Sequence, residues 1–325
     1  MNPIVYAIPV FMASIALEVA IAAWRRKSVY DIPDALTSLH FGVLSQVTGT
    51  LLRLLGFGLY VVVYETYRAM ALPMDAWWVW VGALVAYDFF YYWIHRWGHE
   101  VNALWAAHQV HHSSEYYNLS TALRQTSTGN VMGWPFYLLM AVAGVPPLVF
   151  GVVALIDLLY QYWVHTELVG KLGWFDRVFV SPSNHRVHHG QNDYCLDRNY
   201  GGILIVWDRL FGTFAEERND ERIVYGVRKP LRSFNPVWGN LNVWADLFRQ
   251  TGHALRQGRF ADALAVFFAP PTGWGVEPEH LDTAQVERFT RHTPLAVRKY
   301  ALVQYAVLAL VVTHFLAVAP ALPRT

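Results

Sequence analysis

"ALVAYDFFYYWIHRWGHEVNALWAAHQVHHSSE", residues 83–115, decides the fold. An apolar, aromatic run stops at Ile94 and gives way to five of the chain's fourteen histidines. The run from Ala76 to Ile94 approaches the roughly 20 apolar residues that cross a bilayer core, so it predicts a membrane helix. The histidines then sit just where that helix leaves the hydrocarbon.

The rest of the 325-residue chain agrees with a membrane setting. Hydrophobic residues make up 54% and charged residues 15%, against about 45–50% and about 25% in ordinary soluble domains. Further spans are predicted at Ile4–Trp24, Phe41–Tyr64 and Val297–Val318. The stretch Val131–Val164 is too long for one crossing and is interrupted by Pro146-Pro147, so it predicts a helical hairpin. No basic region precedes Ile4, and the N-terminus reads as a first membrane helix rather than a cleaved signal. Arg25, Arg26 and Lys27 follow it, whereas Arg68 alone lies between the second and third spans. The first loop is therefore expected in the cytosol, and counting crossings puts every histidine-rich segment on that side.

These readings give an all-α integral membrane protein, a multi-pass helical bundle with a histidine-rich cytosolic cap. Residues 1–75 form N-terminal membrane helices, 76–225 a catalytic domain, 226–295 a cytosolic segment and 296–325 a last membrane helix. The charge run Glu216–Arg222 reads as solvated surface. A formal charge of +1 gives no basic excess for a nucleic-acid backbone. The single cysteine, Cys195, excludes an internal disulfide and a multi-thiolate metal site, leaving nitrogen and oxygen as ligands.

Three clusters carry the chemistry: His95 and His99; His108, His111 and His112; and His185, His188 and His189. Positions i, i+3 and i+4 lie near one another on a helix, so each cluster can direct its rings toward a shared pocket. His165 is a ninth candidate, sharing a helix face with Gln161 and Asp157. Asp88 shares the face of His95 and His99, and either aspartate could accept a ring N–H and fix a ligand's tautomer. The isolated His40, His253, His280, His292 and His314 read as ordinary surface or core residues, and Cys195 as a packed side chain.

Imidazole suits zinc, copper, iron and nickel alike. Eight or nine nitrogens exceed the four that zinc usually needs and can surround two metals. Two redox-active irons beside a membrane point to O₂-dependent oxidation of lipid. A haem-bearing electron carrier fits adjacent histidine doublets poorly, because axial ligands face each other across a flat ring. A metal transporter would line a path near the midplane rather than gather histidines at one end.

The order and spacing of the clusters resemble the fatty acid hydroxylase and sterol desaturase superfamily across roughly Asp88–Phe214. That resemblance implies a multi-pass membrane fold, a histidine-ligated di-iron centre on the cytosolic side, and the eight clustered histidines as ligands. Within it, "AAHQVHHSSEYYNLSTALRQ", "YQYWVHTE" and "NHRVHHGQNDYCLDRNYGGILIVWDRLFGTF" are similar to the branch that oxidises alkylglycerol ethers, although this chain is shorter than the animal members. The likeness implies conversion of an alkylglycerol to fatty aldehyde and glycerol, with tetrahydrobiopterin as electron donor. It also implies Glu100 as an acidic catalytic residue after the first cluster. Tyr117, Asn118, Arg124 and Gln125 follow the second cluster and are candidates for contact with the substrate head group. A hydroxylase or desaturase acting on sterols, carotenoids or acyl chains is the alternative. The chain carries no appended cytochrome b5-type domain, so a separate electron donor is expected.

Overall fold

A computed structural model describes residues 4–52, 54–290 and 293–319. His292, and the ends of the domains predicted at 1–75 and 296–325, lie outside them.

Helix α1 (Ile4–Trp24) is as expected; its 21 residues extend about 31 Å at 1.5 Å per residue, the depth of a bilayer core. The predicted span Phe41–Tyr64 is instead a bent pair. Helix α2 (Ile32–Leu51) starts at the Asp31 cap, a π-helical turn covers Leu54–Gly58, and α3 (Leu59–Tyr67) leaves at 43°. Gly56 and Gly58 fall in the π turn, and π-bulges and glycines are regular causes of such kinks.

Helix α4 (Trp77–Glu100) runs past Ile94, so His95 and His99 stand on its final turns. The predicted hairpin has unequal arms. Its first, α5 (Leu138–Ala143), has only six residues, while the second, α6 (Pro147–Trp163), has 17. Gly144 turns the chain between them at φ +96°, and a Cβ there would come 2.1 Å from the Met70 carbonyl oxygen. Only glycine fits.

Among the described residues, α1 and the last helix, α10 (Leu295–Val318), are long and apolar enough to cross alone, and α2–α3 qualifies as one bent segment. Helix α4 carries Asp88 and the polar residues from His95 to Glu100, and α6 is short; Trp77, Val81, Leu148 and Ile156 stay exposed, while one face of each helix packs against the other. Their contact is sealed by a core of Tyr60, Val79, Ala83, Met140, Val149 and Val153.

Beyond the bundle, α7 (Pro182–His189) begins at the Ser181 cap with Pro182 in its first position. Helices α8 (Pro236–Arg256) and α9 (Phe260–Phe268) form an amphipathic pair with Trp238, Phe248, Leu264 and Phe268 exposed. No strand occurs among the described residues; two isolated bridges, Phe179 with Leu204 and Gly190 with Tyr225, tie the loops around α7.

Candidate metal centre

The nine predicted histidines come together, but as two sets rather than one pocket. His95, His99, His108, His112 and His188 form the first; His111, His165, His185 and His189 form the second. Within each set the candidate ligand nitrogens lie within 4.8 Å of one another.

Helical geometry explains the division. Each i, i+4 pair stays together: His95 with His99, His108 with His112, His185 with His189. The residue three along points elsewhere, so His111 leaves for the second set and His188 for the first. Consecutive residues diverge by about 100°, and each doublet, His111-His112 and His188-His189, therefore sends one ring to each set. The two sets are neighbours, with the rings of His112 and His189 stacked at 4.3 Å.

Backbone carbonyls orient the rings. His95 Nδ1 donates to Tyr200 at 2.8 Å, His111 Nδ1 to Arg124 at 3.0 Å, His165 Nδ1 to Gln161 at 2.7 Å and His188 Nδ1 to Arg198 at 3.0 Å. A carbonyl only accepts, so the proton is on Nδ1 and the Nε2 lone pair is free to coordinate. Burial, with the neighbouring imidazoles adding to it, holds His108, His112, His185, His188 and His189 well below the ordinary range; His111 is pushed down to about 4. These rings are neutral at pH 7, the form that binds a metal.

The nitrogens also converge at the right separation. His95, His108 and His112 bring Nε2 atoms to 3.0–3.1 Å, and His165 stands 3.1–3.2 Å from His111, His185 and His189. Nitrogens sharing one ion at about 2.0–2.1 Å stand about 3 Å apart. His99 Nε2 and His188 Nε2 are buried without any hydrogen-bond partner, which a cation would supply. The all-nitrogen donor sets fit iron, and rings this close leave no room for a haem between them.

Several expectations are corrected. Asp88 touches no ring: it accepts from the amides of Ile203 and Leu204 and from Trp207 Nε1. Asp157 likewise contacts Gln161, not a histidine. Main chain fixes the tautomers of His95, His111, His165 and His188, and the carboxylate beside the clusters is that of Asp197, 3.9 Å from His99 Nδ1. Asp88 still matters through the 200–208 loop, which presents the Tyr200 carbonyl to His95. Asp208, which sequence reasoning missed, grips the same loop through the amides of Tyr200 and Gly201; burial raises it to about 6. Nothing in its spacing marks it.

Glu100 pairs with Arg96 at 2.9 Å, partly exposed at the end of α4, and reaches no histidine. Tyr117, Asn118 and Arg124 are buried supports rather than head-group contacts. Tyr117 donates to the Val164 carbonyl, Asn118 caps the turn Leu119–Ala122 and holds Val29, and Arg124 binds Asp34, Ser38 and the Val110 carbonyl. Gln125 alone of the four lines a cavity. Glu217 leaves the supposedly solvated charge run to clamp Arg186 at 2.7–2.8 Å. A buried Glu18 on α1 accepts from Leu119, Tyr30 and Thr166, fastening the first membrane helix to the site.

That cavity, about 440 Å³, lies among α1, α2, α4, α6 and α10. Ile8, Phe11, Val43, Leu158 and Leu316 give it an apolar wall, and His108, His111 and His165 line it as well.

Residues 80–213 match the fatty acid hydroxylase family model. The chain is 38% identical to alkylglycerol monooxygenase of Homo sapiens over 93% of its own length and 68% of that protein's. It is 45% identical to the Danio rerio alkylglycerol monooxygenase and 42% to that of Xenopus tropicalis, over 71% and 82% of this chain but only 51% and 58% of those proteins. The chain thus spans about half to two thirds of the length of these relatives. No solved structure matches it. Fold, histidine sets and family model together define an integral-membrane, O₂-dependent lipid monooxygenase. More narrowly, the chain belongs to the alkylglycerol monooxygenase family; sterol, carotenoid and acyl-chain alternatives within the superfamily are not favoured by these relatives.

Proposed function

We propose that the chain cleaves the ether bond of alkylglycerols, using one iron in each histidine set. The observation that carries this reading is the mostly apolar cavity that His108 of one set and His111 and His165 of the other help to line, which puts space for a lipid chain beside both sets. A pair of irons bound there supplies activation of O₂, which oxidation of a carbon next to an ether oxygen requires. One oxygen atom enters that carbon, the other leaves as water with two electrons and two protons, and the resulting hemiacetal separates into fatty aldehyde and glycerol.

The chain's own residues bind and orient. Neutral imidazoles, held by the carbonyls of Tyr200, Arg124, Gln161 and Arg198, provide the ligand atoms, and the apolar wall excludes water from the reacting end. A separate donor supplies electrons. Tetrahydrobiopterin is proposed for that role on family relationship alone. A cytosolic position for the site belongs to this proposal and is supported by Arg25 and Lys27 of the basic first loop, which bond the carbonyls of Leu168 and Glu167, just after His165.

Membranes bearing the chain, given labelled alkylglycerol, O₂ and reduced pterin, should release labelled fatty aldehyde. Hydroxylated acyl chains without aldehyde would overturn the ether-cleavage reading.

A further inference from the structure

The cavity wall is apolar over most of its length, yet Tyr91, Asp157 and Gln161 form a polar patch on it. Their hydrogen bonds run in one direction. The Tyr91 hydroxyl donates to Gln161 Oε1 at 2.6 Å, and Gln161 Nε2 donates to Asp157 Oδ2 at 2.6 Å. The amide, held at its oxygen by Tyr91, can offer only N–H to the carboxyl group.

This leaves one unpartnered atom. Asp157 is 2% exposed, and its Oδ1 has no hydrogen-bond partner. Position 202 is glycine, and a Cβ there would lie 2.7 Å from that oxygen and 2.9 Å from Asp88 Oδ1, so the two carboxyl groups pack against this glycine and a larger residue would not fit. A buried acceptor without a donor is costly, and an ionisable group at membrane depth marks function. Gln161 also links this patch to the metal centre: its side chain holds Asp157 while its carbonyl orients His165.

We infer that Asp157 Oδ1 accepts a hydrogen bond from a hydroxyl group of the lipid substrate, so that Tyr91, Gln161 and Asp157 select a hydroxyl-bearing lipid and set which carbon faces the histidines. The inference rests on the lipid-monooxygenase reading. An ether lipid with a free diol beside the ether oxygen matches it, because recognition of the diol and oxidation at the ether carbon then occur at adjacent positions of one molecule.

The test is binding to the full iron-loaded chain in nanodiscs without O₂, where no turnover is required. Two probes are compared: a 1-O-alkylglycerol and the same lipid with both hydroxyls as methyl ethers. The wild type should bind the free diol about tenfold tighter, the size expected of one strong buried hydrogen bond. Asp157→Leu should bring the two affinities within about twofold while iron content is unchanged. Tyr91→Phe, a milder change that frees the Gln161 amide, should reduce the ratio several-fold. A purely structural role would weaken both lipids equally and keep the ratio, and that result, or equal binding by the wild type, would overturn the inference. Discrimination without aldehyde production would sink ether cleavage and leave the subsite standing; aldehyde production without discrimination would do the reverse.

Discussion

The histidine layer and the outer membrane helices are held by opposite means. Around the histidines many polar side chains are buried and tied to main chain, as Asp88, Asp208 and Arg124 show. Helices α1 and α10 are apolar outward, with only 6% and 11% of their most hydrophobic windows buried inside the chain. Lipid is their partner. Positions in the layer therefore tolerate little, because removing one group strands another in a low-dielectric surround, whereas outward positions of α1 and α10 need only remain apolar.

Arg124→Met should do the greatest damage. It leaves the Asp34 carboxylate buried without its cation, a loss of about 3–5 kcal/mol for a broken buried pair. A large drop in Tm and poor iron loading are expected, while Leu310→Ile, outward on α10, should change neither; equal effects would erase the contrast between the regions.

His165→Ala should empty the four-histidine set and spare the five-histidine one. Bound iron should fall from two toward one per chain, with activity reduced beyond the roughly 10–100-fold that loss of an outer support costs a metal site. Asp88→Asn should act more gently, destabilising by about 1–3 kcal/mol through donors left unsatisfied in the 200–208 loop and weakening iron binding within that same 10–100-fold range. Thermal unfolding and metal titration measure both.

Glu100→Gln should matter least. A partly exposed pair with Arg96 contributes about 0–1 kcal/mol, so aldehyde formation should stay within about twofold of wild type. A hundredfold loss would return Glu100 to the reaction.

The convergence of the clusters and of His165 was legible because residues that share a helix face leave a periodic trace in side-chain identity. Two distinct sets were not, since His111-His112 and His188-His189 look like repeated ligands until the 100° step between neighbours is followed through. The ring supports were hidden more deeply: carbonyls of Tyr200, Arg124, Gln161 and Arg198 exist at every residue, so no sequence pattern marks them. Composition likewise located α1 and α10 well. It did not show that Leu138–Ala143 has only six residues or that the span beginning at Phe41 is bent; and position after the second cluster suggested Tyr117, Asn118 and Arg124 as binding groups although each is consumed by the fold.

The central claim is that two separate histidine sets each hold an iron. Metal analysis of the purified wild-type chain tests it most directly: two irons per chain are predicted, and a single zinc with no iron would contradict it.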